Sequence, residues 1–317
     1  MFSIIEKKEN GFDKIILKDT TGTFAEIIPS CGAILHSFTV IKDGKDFNVI
    51  ESYENEADFK NNVTSKGFLG CKLSPFVCRI NKGIYNFDGK EYHIQKYFDR
   101  NNALHGELYD QSFTVIAESS DEQKATVSMK HEYKGSDPGY PFKYDCIVTY
   151  ELCKNNKLNV ITRVINKDEC SMPVQDGWHP YFTLGNKIDE LELQFQSNEI
   201  VEFNDELIPT EKLIPYKDFN KAKKLGDTFF DNCFTLNFSE GQPMCCLQNT
   251  EKNIQIEIYT DESYPYLQFY TPKHRNSIAI ENISGAPDAF NNGMGFKILS
   301  PDESAFFKTS YKITLLT

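Results

Sequence analysis

The sequence is poor in arginine and contains no basic tract. Only four of its 317 residues are arginine, and 46 acidic side chains outnumber the 34 lysines and arginines, which gives a net charge of −12. Proteins that bind nucleic acid or anionic membranes normally carry a basic face. The charge balance therefore argues against both partners and suits a neutral ligand.

Long apolar runs and processing signals are also missing. No stretch approaches the roughly 18 apolar residues that a membrane-spanning helix needs. The start, MFSIIEKKENGF, lacks a basic segment followed by an apolar one, which a secretory signal would have. We therefore expect a soluble, cytoplasmic protein.

Metal-binding cysteine motifs are absent. The nine cysteines are an odd number, and none of them forms a CxxC pair of the kind that binds zinc. We expect free, mostly buried thiols and neither a bound metal nor a disulfide framework.

Strict alternation of apolar and polar residues is the dominant pattern. It occurs in residues 126–133, 142–152, 190–195 and 254–258. A period of two residues is typical of a strand with one buried face. Turn-forming clusters separate these segments, as in antiparallel meanders.

Helical signals are confined to residues 55–62 and 218–224. No repeat, low-complexity tract or linker interrupts the chain. We therefore predict an all-β fold, a large antiparallel β-sandwich with minor short helices, formed by a single domain over residues 1–317.

Three residues are candidates for acid–base catalysis because of the segments in which they lie: His105 in NNALHG, His179 in DGWHPYF and Glu281 in SIAIENISGAPDAFN. An imidazole and a carboxylate facing each other across a pocket can move two protons near neutral pH without metal or cofactor. The rings around His179 exclude water and offer a stacking surface for a sugar. Glu281 follows an apolar strand, so it is expected to project from a rigid element.

Each of the three residues is also compatible with a purely structural role. His179 suits a hydrogen-bonded core histidine, His105 an exposed turn and Glu281 a solvated strand end. The remaining four histidines have no comparable setting, and His131 is expected to be a satisfied core residue because it falls on the apolar face of a strand.

An ordered set of segments resembles the aldose 1-epimerases, or galactose mutarotases. The segments, from about Gly70 to the C-terminus, are CRINKGIYNFDGKEYHI, NNALHG, DPGYPFKYDCIVTYEL, GWHPYF, FFDNCF, YLQFYTP and AIENISGAPDAFN. The resemblance implies a galactose-mutarotase-like β-sandwich with an open sugar cleft. It also implies interconversion of the α and β anomers of a free aldohexose, without a cofactor.

The resemblance assigns roles residue by residue. It makes His179 the general acid on the ring oxygen and Glu281 the general base on the anomeric hydroxyl. It places His105 near that ring oxygen, Asp231 on sugar hydroxyls and Arg79 in contact with the substrate. These roles agree with the chemistry, because opening a hemiacetal requires removal of one proton and delivery of another.

The chain departs from the commonest family pattern at three positions and in the segment HPYF. Cys78 stands where many members have Asn, Glu107 replaces a second Gly, and Asn282 replaces a Pro. These positions are expected to line or adjoin the pocket, so they leave the identity of the sugar open. A phosphorylated or sulfonated hexose is one alternative substrate, with Arg79 and Arg100 as candidate cations.

Two other classes of protein use similar residues. A non-catalytic carbohydrate-binding protein would share the aromatic platform but would not need both His179 and Glu281. A glycoside hydrolase or lyase would use Glu281 and Asp231 as a carboxylate pair. The expected partner is a small sugar, with no nucleic acid and no membrane, and the chain is expected to be a monomer or a weak homodimer.

Overall fold

The computed structural model describes residues 1–316 and is built mainly from β-strands. The strands are β1 (Ser3–Glu9), β2 (Phe12–Lys18), β3 (Phe24–Ile28), β4 (Ile34–Lys42), β5 (Lys45–Asn48), β6 (Ile50–Glu51), β7 (Cys71–Leu73), β8 (Arg79–Ile80), β9 (Ile84–Phe87), β10 (Lys90–His93), β11 (Phe98–Asp99), β12 (Asn102–Leu104), β13 (Thr114–Ser120), β14 (Lys124–Tyr133), β15 (Tyr144–Cys153), β16 (Lys157–Asn166), β17 (Met172–Val174), β18 (Gly177–His179), β19 (Tyr181–Phe182), β20 (Glu192–Phe195), β21 (Glu199–Phe203), β22 (Pro209–Pro215), β23 (Lys223–Lys224), β24 (Asp231–Thr235), β25 (Cys245–Asn249), β26 (Ile254–Thr260), β27 (Tyr266–Tyr270), β28 (Ile278–Ile283), β29 (Lys297–Leu299) and β30 (Ser304–Leu315). Two short α-helices, α1 (Glu56–Asn62) and α2 (Ala289–Asn292), join them, with 3₁₀ turns at Asn81–Gly83, Ile188–Glu190 and Phe238–Glu240. None of the helices in residues 1–316 is long and apolar enough to cross a bilayer.

One large sheet has nine strands in the order β13, β14, β15, β16, β30, β26, β25, β20 and β23. Its strands pair antiparallel, and in β15, β16, β20 and β25 every second side chain is buried. In β15, for example, Tyr144, Val148 and Leu152 are buried, while the side chains between the buried positions are only partly covered.

A second large sheet carries the candidate site. Its strands run in the order β22, β21, β24, β27, β28, β18 and β7, and β19 joins β28 to β6. A separate five-stranded sheet contains β1 to β5 in chain order, and β8, β11 and β12 form a small sheet. The strand pairs are antiparallel throughout these sheets.

The two large sheets pack face to face through aromatic contacts. Trp178 of the site-bearing sheet lies against Tyr150 of the other sheet, with ring centroids 5.9 Å apart. The ring centroids of Phe195 and Phe269 are 4.7 Å apart across the same interface. Such contacts join the inner faces into one apolar core. The predicted all-β antiparallel sandwich is therefore confirmed.

The first predicted helix is confirmed and the second is wrong. Helix α1 begins after Asn55, whose side chain accepts a hydrogen bond from the Asp58 amide at 2.8 Å and caps the first turn. Residues 218–224 instead form a turn followed by β23. There the carbonyl of Phe219 accepts the amide of Phe195 at 2.9 Å, and the Phe219 ring is buried among other aromatic rings. Pairing with a neighbouring strand thus outweighs the local helical pattern.

All nine cysteines are free thiols, and six of them are buried. This agrees with the prediction of free, mostly buried thiols. His131 is only half-buried, and its Nδ1 lies 2.9 Å from the carbonyl oxygen of Ser112. It is therefore hydrogen-bonded as expected, but it lies at the margin of the core.

A fully buried ion pair lies beneath the site-bearing sheet. Lys72 Nζ donates to Asp176 Oδ2 at 2.6 Å, and neither side chain has solvent exposure. The same carboxylate oxygen accepts the Tyr264 hydroxyl at 2.6 Å, and the ammonium lies over the Trp178 ring, 4.5 Å from its centroid. Lys72 pairs in register with Trp178, one residue from the pairing of Cys71 with His179. The ion pair therefore helps to fix the strand that carries His179.

Replacing this lysine is expected to destabilise the protein strongly. In Lys72→Met the Asp176 carboxylate stays buried without its cation, at a cost of about 3–5 kcal/mol in the free energy of unfolding. Lys60→Met is the control, because Lys60 forms an exposed pair with Glu56 and its loss is expected to cost under about 0.5 kcal/mol. Urea denaturation of both variants measures the difference. Equal losses would contradict the role of the buried pair.

Candidate active site

His179 and Glu281 come from adjacent strands of one sheet and meet directly. His179 ends β18, and Glu281 lies inside β28. The Nε2 atom of His179 is 3.3 Å from Oε1 of Glu281, and the two residues are only 4% and 2% exposed. The sequence suggested that Glu281 follows a strand, but the strand continues to Ile283. Successive side chains of β28 point to opposite faces of the sheet. Ile278 and Ile280 join the core on one face, so Glu281 points to the other face.

His105 follows β12 in a left-handed turn, with φ of 65°. Its amide donates to the Cys78 carbonyl at 2.9 Å. Its buried ring meets the His179 ring edge to face, with centroids 5.0 Å apart. The next residue, Gly106, has φ of 73°, and a Cβ there would collide with the Ser74 carbonyl oxygen. The backbone therefore approaches Ser74 closely at this glycine, and His105 is not an exposed turn residue.

Arg79 and Asp231 lie on the same side of the sheet as the histidines. The Arg79 guanidinium is 3.5 Å from Asp99 Oδ2 and 4.0 Å from Asp231 Oδ2. Gln268 donates from Nε2 to Asp231 Oδ1 at 3.1 Å and pairs in register with Glu281. The structure thus brings together all five residues that the sequence analysis named.

Gln268 is a polar site residue that the sequence analysis missed. The signal was present, since a glutamine interrupts the apolar run of YLQFYTP between the buried Leu267 and Phe269. A buried amide in a strand needs hydrogen-bond partners, which often belong to a site. Its Oε1 atom has no hydrogen-bond partner among residues 1–316, and neither have Glu281 Oε2 and His105 Nδ1.

These groups line a cavity of about 270 Å³. Phe68, Tyr97, Tyr181 and Tyr270 supply aromatic walls, and the Tyr181 ring stacks on His179 at 5.1 Å. Rings combined with unpartnered polar atoms suit a ligand that has both hydroxyl groups and apolar C–H faces. Of the three substituted family positions only Cys78 lines the cavity, whereas Glu107 and Asn282 are buried outside it.

Burial sets the protonation of the central pair. It lowers the pKa of His179 to about 3 and raises the pKa of Glu281 well above its ordinary range. The nearby Asp231 carboxylate raises the pKa of Glu281 further, while Arg79 opposes that shift. Burial, His179 and Arg79 together lower the pKa of His105. Between its two macroscopic pKa values the His179 and Glu281 pair therefore holds one proton as a unit.

Within residues 1–316 no group of three or more His, Cys, Asp or Glu side chains is arranged to hold a metal ion. The chemistry that the described side chains themselves offer is proton transfer between an imidazole and a carboxylate.

Comparison with known proteins identifies the family. The Aldose 1-epimerase family profile matches residues 13–312. The chain is 22% identical to the maltose epimerase of Levilactobacillus brevis, with 95% of this chain and 94% of that one covered. It is 26% identical to human galactose mutarotase, with 68% and 65% covered.

Solved structures show the same fold. A galactose mutarotase-like protein from Clostridium acetobutylicum superposes with a TM-score of 0.87 at 19% identity, covering 99% of both chains. The family resemblance that the sequence motifs indicated is confirmed by the profile match. The chain belongs to the aldose 1-epimerase family and is an isomerase that acts on carbohydrates.

Proposed function

We propose that the protein interconverts the α and β anomers of a free aldohexose such as glucose or galactose. In this proposal residues 1–317 act as one domain, His179 and Glu281 exchange protons with the sugar, and His105, Asp231 and Arg79 bind it. The names of two relatives, galactose mutarotase and maltose epimerase, support an aldose as the substrate.

The contact of 3.3 Å between His179 Nε2 and Glu281 Oε1 is the observation that carries the proposal. Ring opening takes a proton from the C1 hydroxyl and gives one to the ring oxygen. Both oxygens are bonded to C1, so two neighbouring protein groups can each reach one of them. The sequence predicted that these groups face each other across a pocket, and their direct contact suits this pair of oxygens better.

The cycle conserves protons. The free pair holds its proton on Glu281, because burial disfavours both the carboxylate and the imidazolium. Transfer of this proton from Glu281 to His179 gives the imidazolium and the carboxylate. Glu281 then removes the C1 hydroxyl proton while His179 protonates the ring oxygen, and the ring C1–O bond breaks to give the open aldehyde. Rotation about C1–C2 and closure by the reverse transfers yield the other anomer.

The charges along the cavity favour an uncharged sugar. The cavity lining carries two arginines, Arg79 and Arg100, and two aspartates, Asp99 and Asp231, so these four charges cancel in number, and Arg79 already lies near both carboxylates. A phosphate or sulfonate would be held best by cations in excess of the carboxylates beside them. The balanced charges therefore support a neutral aldohexose over a phosphorylated or sulfonated one.

The first prediction concerns activity on free sugars. We expect the protein to accelerate the change in optical rotation of freshly dissolved α-glucose or α-galactose. Each proton transfer contributes roughly 10²–10⁴ in rate. The polarimeter measures the rate above the spontaneous background, and chromatography checks that no smaller sugar forms. Background rates across a panel of aldoses would refute the proposal.

The second prediction concerns the base. Glu281→Gln keeps the shape of the side chain but cannot accept the proton, so we expect kcat to fall by at least about 10²-fold with sugar affinity retained within a few-fold. Polarimetry and calorimetry measure the two quantities. Glu257→Gln, on β26 in the other large sheet, is the matched control and should keep normal turnover. Full activity in Glu281→Gln would assign the base to another group.

The third prediction concerns pH. Loss of turnover in acid through the pair requires a second proton on it, and burial holds the pKa of His179 at about 3. Burial also raises the pKa of Asp231, whose proposed role is to bind the sugar, so the test uses kcat at saturating sugar. We expect kcat to retain at least about 80% of its value at pH 4.5 relative to pH 6. Polarimetry at each pH measures it, with circular dichroism to confirm that the protein is folded. An acid limb in kcat centred on the ordinary glutamate pKa of about 4.3 would show that Glu281 is not desolvated.

A further inference from the structure

A second cavity adjoins the candidate active site. It encloses about 600 Å³ and shares Thr64, Gly67, Tyr181 and Tyr270 with the first cavity. The Tyr181 hydroxyl donates to the Gly67 carbonyl at 2.8 Å, and this hydrogen bond forms part of the common wall. The first cavity, at about 270 Å³, is the smaller of the two. A ligand that occupied both would place one end beside His179 and Glu281.

The far walls of the second cavity come from three loops. Glu51 ends β6, Ser65 lies in the turn after α1, and Lys273 and His274 follow β27. These side chains are polar, and all but the half-buried Glu51 are exposed, while Tyr270 adds one half-buried aromatic ring. Such a wall suits a hydroxyl-rich group that presents one apolar face to the tyrosine.

The charges on these walls point to a neutral occupant. Lys66 is already paired with Asp58, with Nζ 2.6 Å from Oδ2. Glu51 supplies one carboxylate, which accepts the Ser277 hydroxyl and lies 4.0 Å from His274 Nε2. Lys273 supplies one ammonium, which forms no ion pair or side-chain hydrogen bond with residues 1–316. The hydroxyl groups of a sugar ring can donate hydrogen bonds to Glu51 and accept a hydrogen bond from Lys273. An anion would be repelled by Glu51.

We propose that the second cavity is a binding subsite for the non-reducing sugar unit of a neutral reducing disaccharide, whose reducing unit occupies the first cavity. The inference rests on the proposed function for the chemistry at the reducing end. The subsite itself is defined by Glu51, Ser65, Tyr270 and Lys273, none of which exchanges a proton with the sugar. Because the subsite contacts only the second sugar unit, we expect the protein to prefer a disaccharide to a monosaccharide.

Turnover of matched sugars tests the proposal. We measure kcat/KM for glucose, maltose, cellobiose, lactose and glucose 6-phosphate by polarimetry or by NMR exchange between the anomers. At least one disaccharide is expected to exceed glucose by about tenfold, since one further charge-assisted hydrogen bond in a partly exposed site is worth about that much. A preference for glucose 6-phosphate, or glucose as the best substrate, overturns the proposal.

Two variants separate the subsite from the reacting centre. Ser65→Trp fills the second cavity from an exposed turn, and Lys273→Gln removes its ammonium. We expect each to lower kcat/KM for the preferred disaccharide about five- to tenfold and to leave glucose turnover within about twofold. Lys221→Gln, an exposed lysine outside both cavities, is the matched control and should change neither. Equal losses for both sugars in both variants overturn the subsite.

Affinity distinguishes failure of this proposal from failure of the proposed function. Calorimetry on the wild-type protein gives Kd for glucose and for each disaccharide without requiring turnover. Tighter disaccharide binding that Lys273→Gln abolishes supports the subsite even if no anomer is interconverted. Equal Kd values for glucose and every disaccharide overturn the subsite even if glucose is a good substrate.

Discussion

Burial of one imidazole against one carboxylate is the constraint on which the account of this site depends. In water His179 and Glu281 would ionise separately, but in the cavity the charged form of each is disfavoured. Together they can hold a single proton, either as a neutral pair or as an internal ion pair, with no change in net charge. That property suits a reaction in which a neutral sugar exchanges two protons and remains neutral throughout. It also explains why a compact pair in direct contact can replace two groups on opposite sides of the ligand.

The sandwich provides this burial through ordinary strand alternation. In β28 the residues on one face complete the apolar core, so Glu281 must point to the other face, where β18 places His179 and β27 places Gln268. Beneath the sheet, the ion pair of Lys72 with Asp176 ties β7 to the segment that leads into His179. A buried ion pair adds little net stability compared with apolar packing, but it strongly penalises any arrangement that separates its charges. The strand register, and with it the position of the imidazole, is thereby restricted.

The sequence predicted the parts of this structure that depend on local pattern. Two-residue periodicity identified β14, β15, β20 and β26, and the helical signal in residues 55–62 identified α1. The local pattern failed at residues 218–224, where pairing with β20 decides the conformation. The family motifs named five residues that the fold brings together, whereas Gln268 was missed because its role depends on lying between Asp231 and Glu281 across three strands. The second cavity could not be predicted, because its walls come from loops that only the tertiary structure brings together.

The protonation state of His179 in the sugar-free protein tests the central claim most directly. Nitrogen NMR of ¹⁵N-histidine-labelled protein distinguishes a neutral imidazole from an imidazolium, and His179→Gln assigns the signal. The account predicts that His179 remains neutral from pH 7 down to pH 5, well below the pH at which a free imidazole takes up its proton. An imidazolium signal that develops with a midpoint near the ordinary histidine pKa of about 6.5 would contradict it, because His179 would then be solvated and the shared-proton pair would not exist.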